Sequence, residues 1–505
     1  MADTLNIGGA DRAISSRGGS TGVGAGGNIT FGGAIYDNGV GRLLTVTGGS
    51  GTVTVAGGPA NATLANNLDR LTVSASDGAG KIRVGSVNTV AAQSYDAGTG
   101  GIELNGNVVT LGSANADTVT FSDPLTLTGT SLITTAGGSG DNIVINQTVN
   151  GAYGLTLNAG VLGNVTASAA IGSSTPLTAF SATGAAVFFG APVTAGSIFA
   201  RSTSSDLTLN AGSMLTGTGT GNAIELVAGG ASSRFINNAG ATALNASNAA
   251  GRFLVWSQNP ASDTRGGLAY AFKQYNATYG STPVADTSAN NDGFLYTLAP
   301  TITAGLTGSV VKTYDGTIAA TLAVGNFTVA GAVDGDTVSL SGSGTFDNKN
   351  VGTGKTVTAS GITANVTSGA ATVYGYQVSP TSVSANIGTI TAAALDLNAV
   401  SGSKVYDATT ASSGVVSIVG LQGSDNVSGL SQSYLSKNVL GANNSTLQVN
   451  GGYTINDGNG GANYTVSTNT ASGTITAAAL DLNAVSGSKV YDATTASSGV
   501  VSIVG

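Results

Sequence analysis

Residues 388–420, GTITAAALDLNAVSGSKVYDATTASSGVVSIVG, return letter for letter as residues 473–505. A repeat this strict specifies a tandem architecture, in which each unit packs chiefly on its neighbours. A looser copy lies upstream: Lys312-Thr313-Tyr314-Asp315 aligns with Lys404-Val405-Tyr406-Asp407 and with Lys489-Val490-Tyr491-Asp492. A second landmark recurs as well, with Phe346-Asp347-Asn348-Lys349-Asn350-Val351 matching Tyr434-Leu435-Ser436-Lys437-Asn438-Val439. Units of roughly 85–92 residues, rich in alternating strands and without helical periods, predict small β-sandwiches. The first spans 301–393 and the second 394–478, while 479–505 holds only the start of a third.

The preceding part has another rhythm. Short runs such as Leu43-Leu44-Thr45-Val46, Thr52-Val53-Thr54-Val55, Thr118-Val119-Thr120-Phe121 and Asn142-Ile143-Val144-Ile145 carry an apolar residue at alternate places, with Gly, Asn or Asp between runs. Strands this short are marginal as hairpins but suit a solenoid, whose coils stack on one another. Residues 1–233 therefore predict a β-helix of roughly 20–25 residues per coil, with Gly and Asn supplying left-handed backbone at the corners. The predicted fold class is all-β: a parallel right-handed β-helix (solenoid) followed by tandem small β-sandwich repeats.

Residues 234–300 concentrate the aromatic side chains, among them Phe235, Phe253, Trp256, Tyr270, Tyr275, Tyr279 and Tyr296. The open end of a solenoid exposes its core and must be covered, so this segment reads as cap and junction. Trp256, Tyr270, Tyr275 and Tyr279 are its candidates for surface binding, of a carbohydrate for example.

The polar inventory removes most chemistry. The chain has no His and no Cys, and its Glu residues are Glu103 and Glu225 alone. Zinc sites, Ser-His-Asp triads and Cys nucleophiles need residue types that are missing. No two acidic residues are adjacent, and the Asp residues before 296 are scattered singly between turns. A polysaccharide-active β-helix enzyme needs carboxylates converging on a groove, which leaves catalysis the least supported reading. The formal charge of −8 argues against nucleic acid as a partner. No run approaches the apolar length that membrane insertion requires. Met1-Ala2-Asp3-Thr4 lacks the basic start and apolar stretch of a signal peptide, so if the protein is secreted its export signal lies outside this chain.

Calcium is the cofactor to weigh. Asp141 ends Gly137-Gly138-Ser139-Gly140-Asp141, and Asp334, Asp336 and Asp457 sit in oxygen-rich turns. Calcium takes six to eight oxygens, and these sequences offer few, so ordinary turns are the simpler reading. The recurring Lys-x-Tyr-Asp motif (Lys312, Tyr314, Asp315; Lys404, Tyr406, Asp407; Lys489, Tyr491, Asp492) reads as structural. Its Tyr is expected to pack over the sandwich edge with its hydroxyl bonded, and its Asp to start the next turn.

Two stretches carry a family resemblance. Gly251-Arg252-Phe253-Leu254-Val255-Trp256-Ser257-Gln258-Asn259-Pro260, with Phe272-Lys273-Gln274-Tyr275-Asn276 and Gly293-Phe294-Leu295-Tyr296, resembles the segment closing the β-helix of filamentous-haemagglutinin-like exoproteins of the two-partner-secretion type. The tandem units beyond it resemble the YDG-type repeats of the same exoproteins, through Tyr314-Asp315-Gly316; the later copies read Tyr-Asp-Ala. The resemblance covers roughly residues 100–505. It implies a non-catalytic adhesin of a Gram-negative bacterium, secreted or at the cell surface and exported through an outer-membrane partner by a region outside this chain. The implied partners are host-cell or matrix glycans and proteins, or neighbouring bacterial surface components. The alternative is a structural spacer or a filament of a biofilm matrix or surface layer.

Overall fold

The computed structural model describes residues 5–6, 10–16, 26–31, 35–36, 41–55, 68–112 and 116–505. They are all-β, and among them the one helical element is a 3₁₀ turn at Val324–Asn326. They form two compact units. The first comprises residues 1–302 with 331–338 and 365–377; the second comprises 303–330, 339–364 and 378–505.

The first unit is a parallel β-helix. One sheet stacks ten strands from Arg12–Ser15 to Phe235–Asn237, and a second stacks six from Ile29–Phe31 to Val149–Asn150. A third runs through Ser131–Thr134, Gly154–Asn158, Leu177–Gly184, Val193–Ser202, Gly221–Ala228 and Gly251–Ser257. Each strand pairs in parallel with its successor one coil on. Across these sheets the step ranges from 18 residues, Leu177 to Ala195, to 32, Arg12 to Leu44.

The period-two pattern decides what lies inside. Val119 and Phe121 are buried while Thr120 between them is half-exposed, and Ile143, Val144 and Ile145 repeat the arrangement. In register, Val73, Tyr95, Phe121 and Ile145 form one internal column. Tyr95 stacks on Phe121 with ring centroids 5.0 Å apart. Each such side chain contributes about 1.5–3 kcal/mol by leaving water. The Tyr95 hydroxyl donates to Gln93 Oε1 at 2.6 Å, and Gln93 Nε2 donates to Val109 O at 2.8 Å, which satisfies the Tyr95 hydroxyl and the Gln93 amide inside the coil.

The corner asparagines act differently from expectation. Asn142 Oδ1 accepts the Asn164 backbone N–H at 2.8 Å, and Asn164 Oδ1 accepts that of Ala186 at 3.1 Å. These side chains pair the backbone of the next coil, and glycines such as Gly160 (φ +69°) take the left-handed positions. An amide group can bond a turn from outside, whereas only Gly enters that backbone region without a steric cost.

The aromatic segment continues the stacking. Gly251–Ser257 pairs in parallel with Gly221–Ala228 and with Gly293–Tyr296, and the latter also pairs with Phe272–Gln274. Phe235, Phe253 and Tyr270 surround the ring of Phe294.

In the second unit the later repeat holds a three-stranded sheet, Ala393–Asn398 between Ser417–Val419 and Tyr464–Asn469. A four-stranded sheet joins Gly402–Val405, Ala471–Thr476, Ser445–Val449 and Gln432–Tyr434. The two repeats share one core cluster, while the later repeat also keeps one of its own in Ala399, Tyr434, Leu447 and Ile475. One buried cluster takes Val310, Tyr314, Phe346 and Ile390 from the earlier repeat and Leu395, Leu397, Val416 and Tyr464 from the later. Units this small bury too little surface singly, and sharing a core across the joint adds what each lacks.

Candidate functional site

The recurring motif builds the same local structure three times. Lys312 Nζ donates to Asp315 Oδ1 at 2.7 Å, and Asp315 accepts the Thr317 backbone N–H at 2.9 Å. Lys404 with Asp407 and Thr409, and Lys489 with Asp492 and Thr494, do likewise. The Asp thus closes a turn and the Lys is fixed beside it; Lys404 holds the Asp407 carboxyl down to about 2, with the Thr409 N–H assisting. Two of the lysines lie over rings of the second landmark, Lys312 over Phe346 and Lys404 over Tyr434.

The motif tyrosines diverge. Tyr314 is 2% exposed, with its hydroxyl donating to Asp425 Oδ2 at 2.7 Å. Tyr406 is 37% exposed and Tyr491 91%. The expected packing therefore holds at Tyr314 and not at the other two. The groups around the Tyr314 hydroxyl come from the following repeat, as Asp425 and Tyr464, and from its own, as Lys349.

Those groups form a compact constellation, a latch between repeats. Asp425 Oδ2 also accepts the Tyr464 hydroxyl at 2.8 Å, and Asp425 Oδ1 accepts Lys349 Nζ at 3.2 Å. Tyr314 and Tyr464 meet edge to face, and Lys349 Nζ lies 5.7 Å from the centre of the Tyr314 ring. The Gln422 backbone N–H donates to the Tyr464 oxygen at 2.9 Å. Burial acts to raise the Asp425 carboxyl, but donors from Tyr314, Tyr464 and Lys349 outweigh it and hold the group below the usual range. Burial, with the charge of Asp425, pushes the Tyr464 hydroxyl up to about 12, so it stays a donor.

The same constellation occurs in the first unit. Asp336 Oδ2 accepts the hydroxyls of Tyr275 and Tyr376, both at 3.0 Å, and Asp336 Oδ1 accepts Lys273 Nζ at 2.5 Å. Tyr275 and Tyr376 meet edge to face, and Lys273 Nζ lies 5.7 Å from the Tyr275 ring centre. The Val333 backbone N–H donates to the Tyr376 oxygen at 3.0 Å. Asp336-Thr337-Val338 corresponds to Asp425-Asn426-Val427, and Tyr376-Gln377-Val378 to Tyr464-Thr465-Val466. In both latches the Asp and second Tyr come from one repeat, and the Lys and first Tyr from the sequence element before it. Gly375, beside Tyr376, must be glycine here, since a Cβ would stand 2.0 Å from the Tyr275 carbonyl oxygen.

The calcium candidates have protein partners in the structure. Asp336 is used by three donors, and Asp334 by Lys273 and by both terminal nitrogens of Arg265. Asp141 accepts the backbone N–H of Asp117 and of Gly138, and Asp457 accepts those of Asn459, Gly461 and Asn463. Each carboxylate is committed to protein donors. No group of three or more Asp or Glu residues is placed to hold a metal ion among the described residues.

The surface-binding candidates are corrected in part. Trp256 and Tyr275 are buried, at 5% and 1% exposure, and offer no surface. Tyr270 is half-buried, bonded to Ser368 Oγ, and lies beneath Arg265. Tyr279 is half-buried against Trp256 and Phe199, with Arg201 over its ring at 5.7 Å. Next to them Trp256 Nε1 donates to Glu225 Oε1 at 3.0 Å, and burial raises the Glu225 carboxyl. In strand register Phe199 stands opposite Glu225 and Arg201 opposite Val227, so one outward ledge presents a ring, a guanidinium and a carboxyl.

A buried acid makes this unit pH-dependent. Burial pushes Asp263 up to about 6 despite bonds from Ser257 Oγ and the Phe235 N–H. Its folded value lies above the unfolded one of about 3.9, so its stabilising contribution is full below that value and is lost as pH rises through 6. The first unit should lose about 2–3 kcal/mol from this group between roughly pH 4 and 6.5. Urea unfolding across that range checks it: Asp263→Asn should flatten the slope, and an unchanged slope removes Asp263 as the cause.

The fold is thus that of an all-β chain in which a parallel β-helix precedes tandem repeats. Residues 297–383 and 391–471 match the YDG domain family, which makes the repeats YDG domains. No curated protein and no solved structure matches the chain.

Proposed function

We propose that the chain is a non-catalytic segment of a large bacterial adhesin, secreted or held at the cell surface after export through an outer-membrane partner. The observation that carries this reading is the order of parts: a parallel β-helix with its aromatic segment, then two YDG domains. The half-exposed ledge of Phe199, Arg201, Glu225 and Tyr279 supplies a binding surface of suitable chemistry. A ring offers an apolar face to a sugar, and the flanking charged groups offer bonds to its hydroxyls. Host-cell or matrix glycans are the proposed ligands. The full chain on a broad glycan and matrix-protein array should bind, and Tyr279→Ala with Arg201→Ala should cut binding at least roughly tenfold, the loss expected of a central contact. Absence of binding across the array would sink the adhesin reading for this segment. The burial of Trp256 and Tyr275 favours the second reading, a structural spacer that holds another part outward.

A further inference from the structure

Each latch has two halves. The leading half is a Lys and a Tyr, Lys273 with Tyr275 or Lys349 with Tyr314; the trailing half is an Asp and a Tyr, Asp336 with Tyr376 or Asp425 with Tyr464. The later repeat contributes the trailing half of one latch, and its sequence also holds a leading half. Tyr406 stands where Tyr314 does, and Lys437-Asn438-Val439 where Lys349-Asn350-Val351 do.

The local frame of that leading half is already built. The Tyr406 backbone N–H donates to Thr476 O at 2.8 Å, as that of Tyr314 donates to Thr391 O at 2.8 Å. Thr476 Oγ1 reaches Lys404 O at 3.3 Å, as Thr391 Oγ1 reaches Lys312 O at 3.3 Å. Only the covering differs. Lys349, Asn350 and Val351 are half-buried, and Lys437, Asn438 and Val439 are exposed. Tyr406 and Val439 line a groove of about 550 Å³ with Ala477–Leu480.

We propose that Tyr406, Lys437, Asn438 and Val439 form a docking surface for a further YDG repeat, one carrying counterparts of Asp425, Asn463 and Tyr464. Continuity with the observed joint identifies the occupant. Residues 388–420, which open the repeat seated on Tyr314, are identical to 473–505, which come after Tyr406. The third letter of the motif is compatible as well. A Cβ on Gly316 would lie 3.6 Å from Gly423 Cα, an ordinary contact, so Ala408 fits an equivalent joint; its φ of +66° is close to the +77° of Gly316. The latch is thereby a coupling that passes from repeat to repeat, and this surface is its next leading half.

The experiment adds a copy of residues 421–472 after Gly505 in the full chain, which completes a third repeat. In the existing joint the Val351 N–H donates to Asn463 Oδ1 at 2.9 Å. The Val439 N–H should gain the same acceptor, and its hydrogen exchange should slow by roughly tenfold or more. A second extended chain carries Tyr406→Ala and Lys437→Ala; there the slowing should vanish and the added repeat should lose protection, while Val351 stays protected. The proposal is overturned if the added repeat fails to fold, if it folds with Val439 exchanging as before, or if both extended chains behave alike.

Discussion

Replacing Lys273 by Met should destabilise the first unit by about 3–5 kcal/mol, the cost of leaving buried charge without its partner. The ammonium has no solvent exposure and bridges Asp334 at 2.6 Å and Asp336 at 2.5 Å. The Asp336 side chain is itself fully buried. Without Lys273 its charge keeps only the hydroxyls of Tyr275 and Tyr376, which are neutral. Asp334 suffers less, because Arg265 grips both of its oxygens. The double variant Lys273→Met with Asp336→Asn should therefore recover most of the loss, since the charge left behind is the larger part of the penalty. Chemical denaturation of the three proteins tests this. Equal losses in the single and double variants would mean that packing of the lysine stem, not charge, is what matters.

How far the structure is legible in the sequence differs by level. The solenoid is readable because alternation in Val119-Thr120-Phe121 or Ile143-Val144-Ile145 maps directly onto inside and outside. Which strands share a column is not, since that depends on coil lengths that vary between 18 and 32 residues. The motif Lys and Asp read as turn-forming, and are, because they bond within a few residues of one another. The latches escape a linear reading because their halves lie far apart: Tyr314 and Asp425 are separated by 111 residues, and Tyr275 and Asp336 by 61. Asp336 suggests calcium through its oxygen-rich turn, and the turn alone does not reveal a buried lysine. Aligning Asp336-Thr337-Val338 with Asp425-Asn426-Val427, and Tyr376 with Tyr464, is the signal that exposes it. Trp256 misleads for a related reason: an outward strand position means solvent only where no loop lies over it. Here Ala277 and Tyr279 cover that face.

Replacing Asp425 by Ala should destabilise the second unit by about 2–4 kcal/mol, because three donors lose one acceptor in a buried place. The carboxylate side chain is 4% exposed and receives Tyr314, Tyr464 and Lys349 together. Truncation strands two buried hydroxyls and an ammonium, and weakens the contact that joins the repeats. The same group gives the unit an acid limit. Its folded pKa lies below the unfolded one, so its contribution is present above about pH 4 and is lost as pH falls through the folded value. Asp315, Asp347, Asp407 and Asp457 are lowered too, held by lysines or by backbone N–H groups. In the first unit Glu103 and Asp206 are lowered by Lys81, Arg83 and Arg234, but Asp117, Asp123, Asp263, Asp292 and Glu225 are shifted the other way, chiefly by burial. Acidification below about pH 4 should therefore unfold the repeats while the β-helix keeps its exchange protection. Hydrogen exchange at pH 3 resolves the two units in one experiment. Loss of protection in the β-helix first would mean that the buried acids of the solenoid do not govern its response to pH.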